Sequence, residues 1–198
     1  MSRIDLIKGF ADPVSDSQFA FRQLLKAMSE PGLLCKLTTP ESLDPMSEAL
    51  FATCQTLLDQ QTSIWLSKEF DTPDIRHNLS FHTGAPILDD AAKAQFAIAF
   101  AGEIQSTESF HKGDVEYPET ACTLLLQVNA LNGDDGDTLK LSGPGIETDV
   151  YIRISDLTPA ILTYLTTRPD RFPLGLDLIL AAEDALLCIP RSTHVEVC

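Results

Sequence analysis

At 198 residues, with a hydrophobic share of 44% and a mean hydropathy of +0.03, the chain is long enough to bury one sizeable core. Its 29 acidic residues against 14 basic ones give a formal net charge of −15, which excludes a general nucleic-acid surface and means that any polyphosphate must be met by a local basic pocket. No apolar run reaches the length of a membrane span, and the start MSRIDLIKGFADPV lacks the apolar core and cleavage site of a secretory signal, so a cytoplasmic protein with one domain over residues 1–198 is expected.

Asp12-Pro13 marks the start of a first helix, and Ser15 to Gln18 fits a capping box. Phe21, Leu24, Leu25 and Met28 then fall at i, i+3, i+4 and i+7, which predicts one buried helical face. Pro31-Gly32 ends that helix, and a strand is expected over 33–37. Asp44-Pro45 opens a second helix by the same device, with Met46, Leu50, Thr53 and Leu57 along its buried stripe. TSIWLS, 62–67, reads as a strand, and Thr72-Pro73 starts a third helix that delivers FHTGAP, where Gly84 suits a left-handed C-terminal cap.

FAIAFA, 96–101, alternates large and small residues, as a strand with one bulky and one close-packed face does. Residues 102–120 are polar and irregular, and a loop of that length is a candidate interface. CTLLLQV, 122–128, is a strand buried on both faces. A turn-rich stretch at 132–137 leads into the alternating TLKLS, which predicts a hairpin. SGPGI follows, and then a second alternating strand at 150–154 and a helix capped by Thr158-Pro159 that ends at Arg168-Pro169. The chain closes on FPLGLDLILAAEDALLCIPRST, which reads as two apolar strands, 176–181 and 185–189, joined by a tight turn at Glu183-Asp184. These elements predict an α/β fold, a three-layer α/β/α sandwich around a mixed sheet.

The five cysteines show no C-x-x-C spacing and the four histidines no i, i+4 pair, so reduced thiols and no metal site are expected. Asp177 stands among leucines and isoleucines and needs a hydrogen-bond partner, most simply as a strand-entry acceptor of backbone N–H groups. Arg191, with Ser192 and Thr193, could hold a phosphate or carboxylate at a strand end, or be ion-paired there. His82 and Thr83 on the exposed turn before Gly84, Tyr117, and the glycine turn Ser142, Gly143, Pro144, Gly145 complete a candidate ligand-binding set. Each of these also has a plain capping or turn reading. No Ser, Cys or Lys has a recognisable activating partner, so no catalytic residue is named.

GFADPVSDSQFAFRQLLKAMSEPG, FHTGAP, EYPETACTLLLQV, LSGPGI, FPLGLDLIL and IPRST occur in an order and spacing that resembles one family across essentially the whole chain: the PhnH family, which belongs to the bacterial carbon-phosphorus lyase system of phosphonate breakdown. The resemblance implies a fold similar to the large domain of pyridoxal-phosphate-dependent transferases, without that cofactor. Lys140 in a half-exposed strand and Lys112 in a polar loop agree with that absence, since neither suits a Schiff base. It also implies a homodimer that joins subunits G, I and J in a core complex, which transfers ribose triphosphate from MgATP to an alkylphosphonate with release of adenine. In such a complex this chain is expected to be an accessory, non-catalytic subunit without a cofactor. The rival readings are a phosphate- or nucleotide-binding protein that uses the old cofactor cleft, and an independent enzyme.

Overall fold

The computed structural model describes residues 5–39 and 41–198; the first four residues of the segment inspected for a secretory signal lie outside them. Four α-helices are described: α1 (Pro13–Ser29), α2 (Glu48–Leu57), α3 (Pro73–Thr83) and α4 (Pro159–Thr167). The strands are β1 (Cys35–Lys36), β2 (Ile64–Leu66), β3 (Ile87–Leu88), β4 (Phe96–Phe100), β5 (Thr123–Gln127), β6 (Asp137–Ser142), β7 (Val150–Ile154), β8 (Asp177–Ala182), β9 (Ala185–Ile189) and β10 (His194–Val197).

Helix α1 starts at Pro13 because Asp12 accepts the N–H groups of Val14 and Ser15 at 3.1 and 3.2 Å. The capping box expected at Ser15 to Gln18 is not formed, since Ser15 already lies inside the helix and donates its hydroxyl to Asp12. The buried line of α1 is Ala20, Leu24 and Ala27, two small residues around one leucine, which lets the helix approach α2 and β9 closely. Phe21 and Leu25, expected on that face, are exposed instead, at 46% and 53%. Helix α2 does not open at Asp44-Pro45 either. Leu43 and Met46 bridge across a turn there, and Ser47 Oγ supplies the cap by accepting from Leu50 N. Thr72 and Thr158 cap α3 and α4 as expected, Gly84 closes α3 at φ 70°, and Arg168 closes α4 at φ 41°.

Seven strands form one mixed sheet in the order β1-β9-β8-β5-β4-β2-β3. β3, β2, β4, β5 and β8 run parallel, and the β8–β9 hairpin and β1 add the antiparallel edge. β5 and β8 lie at the middle and bury their apolar side chains on both faces, as their uninterrupted leucines and isoleucines require. On one face Ile98, Leu125, Ile179 and Cys188 pack under α1, α2 and α3. On the other, Ala97, Ala99, Leu124, Leu126, Leu178 and Leu180 pack under α4 and a second sheet, β10-β6-β7.

That second sheet corrects two expectations. β6 does not return as a hairpin on β5; it pairs with β7 and β10. The outer layer on this face is therefore one helix plus a small antiparallel sheet, where helices alone were expected. The reason is visible in the alternation of Leu139 and Leu141, and of Ile152 and Ile154, which are buried while their neighbours are not. Such strands can cover a core but cannot sit inside one.

Leu125, fully buried in the central strand β5, has no room to relax around a deletion. Leu125→Ala is expected to lower the unfolding free energy by about 2–5 kcal/mol, read from urea denaturation.

Candidate functional site

The register of the β8–β9 hairpin places Asp177 opposite the residue before Arg191. Asp177 Oδ1 accepts from the Arg191 backbone N at 2.7 Å, and Oδ2 accepts from Nε and Nη2 at 3.1 and 2.6 Å. Arg191 Nη1 donates to the carbonyls of Pro118, at 2.8 Å, and Pro173, at 3.2 Å. Both side chains of this ion pair are largely buried, at 14% and 16% exposure. Arg191 is therefore not a free phosphate fork, because the bidentate face of its guanidinium already holds a carboxylate. Asp177 finds here the partners its apolar neighbours demanded.

Beside this pair, the buried Tyr164 donates its hydroxyl to Asp170 Oδ2 at 2.9 Å and accepts from Leu176 N at 2.7 Å. Burial, ahead of the Asp170 charge, pushes its hydroxyl up to about 12. Arg168 lies over the Tyr164 ring, 5.6 Å from the centroid, and reaches the carbonyl of Pro190 at 3.1 Å and that of Leu176 at 3.5 Å. Among the described residues no carboxylate lies within ion-pair distance of Arg168, and its buried Nε has no partner. Burial lowers its pKa from the ordinary arginine value, against the opposing effects of Tyr164, Asp177 and Asp170. Lys112, expected in a polar loop, is half-buried over the same tyrosine. It donates to the Thr107 carbonyl, and burial lowers its pKa.

These groups border a groove of about 390 Å³ whose walls include Pro144, Arg168, Asp170, Phe172, Arg191 and Thr193. Ser192 and His194 also line it. Thr193 is only 1% exposed and its Oγ1 has no partner.

The expected ligand set divides into two places. The turn Ser142, Gly143, Pro144 and Gly145 leaves β6 and lies against residues 192–194, so it does meet Arg191, Ser192 and Thr193. Gly145, at φ 81°, is there for packing: a Cβ on it would stand 2.0 Å from the Ser29 carbonyl at the end of α1. Tyr117 is exposed on the loop whose next residue, Pro118, accepts from Arg191. His82, Thr83 and Gly84 lie elsewhere, at the end of α3 leading to edge strand β3, with β5, β4 and β2 between them and β8. His82 Nε2 is 3.0 Å from the Ile7 carbonyl, with its ring edge-on to Phe51 and Phe81. Thr83 bonds back to Leu79 and accepts from Ala85, and Gly84 faces Gln60. One cleft holding all these residues is not what the fold builds.

Tyr164, Arg168, Asp170 and Phe172 were not anticipated. The available signal was Arg168 at a helix end before a proline, where a non-glycine residue at positive φ is uncommon. The opposite, carboxyl end of the parallel strands, the usual ligand end of an open α/β sheet, is lined by Glu69, Glu103 and Asp156 and opposes an anion. Gln127 at that end is engaged by Pro45 and Ser47.

Two outcomes follow from this geometry. Asp177→Asn leaves the Arg191 charge buried without a counter-charge and is expected to cost roughly 3 kcal/mol in urea denaturation. Asp177→Leu combined with Arg191→Met should regain part of that loss. Tyr164→Phe removes a buried donor and acceptor and should cost about 1–3 kcal/mol at pH 7. The folded-state pKa of Tyr164 is raised, so between pH 10 and about 12 the native state holds the proton that the unfolded chain releases. Stability contributed by this group is thus complete below pH 10 and falls as pH rises to 12, and Tyr164→Phe should flatten the decline in that window.

The sequence model of the family described as bacterial phosphonate metabolism protein (PhnH) matches residues 8–196. The alpha-D-ribose 1-methylphosphonate 5-triphosphate synthase subunit PhnH of Rhizobium meliloti (strain 1021) is 35% identical over 189 residues, 94% of each chain. The putative C-P lyase subunit protein HtxG of Stutzerimonas stutzeri is 27% identical over 180 residues, covering 91% of this chain and 86% of that one. With the family model matching residues 8–196 and a 35% identical relative covering 94% of the chain, the chain belongs to the PhnH family of bacterial phosphonate metabolism proteins.

Proposed function

We propose that this chain is an accessory subunit of an alpha-D-ribose 1-methylphosphonate 5-triphosphate synthase, in a carbon-phosphorus lyase assembly. In this reading the complex transfers ribose triphosphate from MgATP to an alkylphosphonate and releases adenine. The chain acts as a homodimer alongside subunits G, I and J in the cytoplasm, folded as one domain over residues 1–198. The observation that carries the reading is the outer face of α1. Val14, Phe21 and Leu25 stand at i, i+7 and i+11, all well exposed, on a stripe without a carboxylate. On a chain of net charge −15, such a stripe is where a second copy approaches without like-charge repulsion, and an isologous dimer uses the same patch twice. The described helices include none long and apolar enough to cross a membrane.

The mixed sheet supports a likeness to the large domain of pyridoxal-phosphate-dependent transferases, but the residues do not fit that cofactor. Lys112 gives its ammonium to the Thr107 carbonyl and is not part of the groove wall beside Arg168. Of the residues expected from sequence to bind a ligand, those at 142–145 with Ser192 and Thr193 enter this reading, with Tyr117 at its margin; Arg191 does not, because Asp177 holds its fork.

Size-exclusion chromatography with light scattering tests the assignment, first on the chain alone and then mixed with subunits G, I and J. A species of twice the 21.7 kDa chain mass that co-elutes with the other three is expected. Phe21→Glu with Leu25→Glu should give a folded monomer whose melting temperature no longer depends on protein concentration. A chain that stays apart while the other three assemble overturns the reading.

A further inference from the structure

The groove beside Arg168 contains two polar groups that the protein buries and leaves unpartnered, Arg168 Nε and Thr193 Oγ1. Buried donors in a native fold are ordinarily satisfied, and two orphans on the wall of one cavity point to something that enters it. A guanidinium has five donors in a rigid fork. Two nitrogens of Arg168 meet the carbonyls of Pro190 and Leu176, the second only at 3.5 Å, and Nε–H is left over. Among the described residues no carboxylate lies within ion-pair distance of Arg168: Asp177 is held by Arg191, and Asp170, which shares the groove wall and accepts from the Tyr164 hydroxyl, acts on Arg168 only at longer range.

We propose that this groove binds an organic phosphate or phosphonate, with the tetrahedral oxyanion held between Arg168 Nε–H and the Thr193 hydroxyl and its carbon substituent against Phe172 and Pro144. An oxyanion accepts from both orphans at once and supplies the charge that a water bridging them would not. Phe172, 68% exposed, and Pro144 give the rim an apolar wall where a bare inorganic ion has nothing to touch. A volume of about 390 Å³ suits a small monoester. Arg191 shapes the wall but gives no fork, because Asp177 holds it. The proposal uses only this chain's residues and does not rest on its place in a complex, so it can fail while the subunit assignment stands, and the reverse.

The test is isothermal titration calorimetry of the full chain with phenyl phosphate at constant ionic strength, with inorganic phosphate and benzoate as comparators. Saturable binding of one phenyl phosphate per chain is expected, tighter than inorganic phosphate and at least tenfold tighter than benzoate. Thr193→Val keeps the side-chain shape and removes the orphan hydroxyl. The free variant should melt no lower than wild type, while its affinity for phenyl phosphate drops about tenfold, the effect of one hydrogen bond to a charged group. Phe172→Ala should abolish the advantage of phenyl phosphate over inorganic phosphate. Arg168→Gln should abolish binding; because Arg168 also closes α4, Thr193→Val decides the matter if that variant does not fold. Absence of saturable binding, equal affinity for benzoate, or wild-type affinity in Thr193→Val overturns the proposal.

Discussion

The ion pair between Asp177 and Arg191 is the constraint on which the rest of this fold depends, because it locks the open end of the β8–β9 hairpin and ties two other segments to it. Through one guanidinium, the loop before β5 (Pro118), the stretch before β8 (Pro173) and the start of β8 itself (Asp177) are held in a fixed relation. The closed end of the same hairpin is tied down in a comparable way. The Glu183 carbonyl accepts from Ala49 N at the start of α2, the Asp184 carbonyl accepts from Leu37 N, and the Asp184 carboxylate pairs with Lys36 next to it. The hairpin is thus clamped at both ends. Its exposed Lys36 pair contributes little, whereas the largely buried Arg191 pair cannot lose one partner without stranding the other.

Local chemistry made much of this legible in the sequence. Asp12, Thr72 and Thr158 before prolines, Gly84 after α3, and the apolar runs of β5 and β8 all act within a few residues of themselves, and each produced the expected element. What escaped depends on long-range pairing. β3 is two residues long, too short to carry a period, and β10 is a strand only because β6 accepts it. The α1 face was misjudged because a helical period says which residues align but not which side the neighbours take. Here Ala20, Leu24 and Ala27 face inward, and the larger Phe21 and Leu25 are turned out.

The candidate site shows the same division more sharply. Asp177 and Arg191 were each singled out, yet as separate features. The two-residue turn at 183–184 already fixes the hairpin register, and with it the meeting of Asp177 and the residues after β9. Reading that register would have removed Arg191 from the ligand set. Arg168 could not be found in this way. Its position depends on α4 closing onto β10 and on the carbonyls of Leu176 and Pro190, contacts that no sequence spacing encodes. His82 and Thr83 fell out of the set for the converse reason, since a turn that looks exposed in sequence is covered here by the segment around Ile7 and by Phe51.

Charge is distributed along the sheet in a way that the net value of −15 conceals. At the amino ends of the central strands stand Lys112, Arg168 and Arg191, three of the chain's 14 basic residues, each bonded to at least one backbone carbonyl; at the carboxyl ends stand Glu69, Glu103 and Asp156. Carbonyl oxygens solvate a cation without neutralising it, so the field at the amino end stays positive where carboxylates do not intervene. Of the three, Arg191 is neutralised by Asp177, and Lys112 is directed to Thr107. Arg168 alone combines burial, a spare donor and an open groove. Among these three cations, it is the one placed to offer a donor to an anion in the groove.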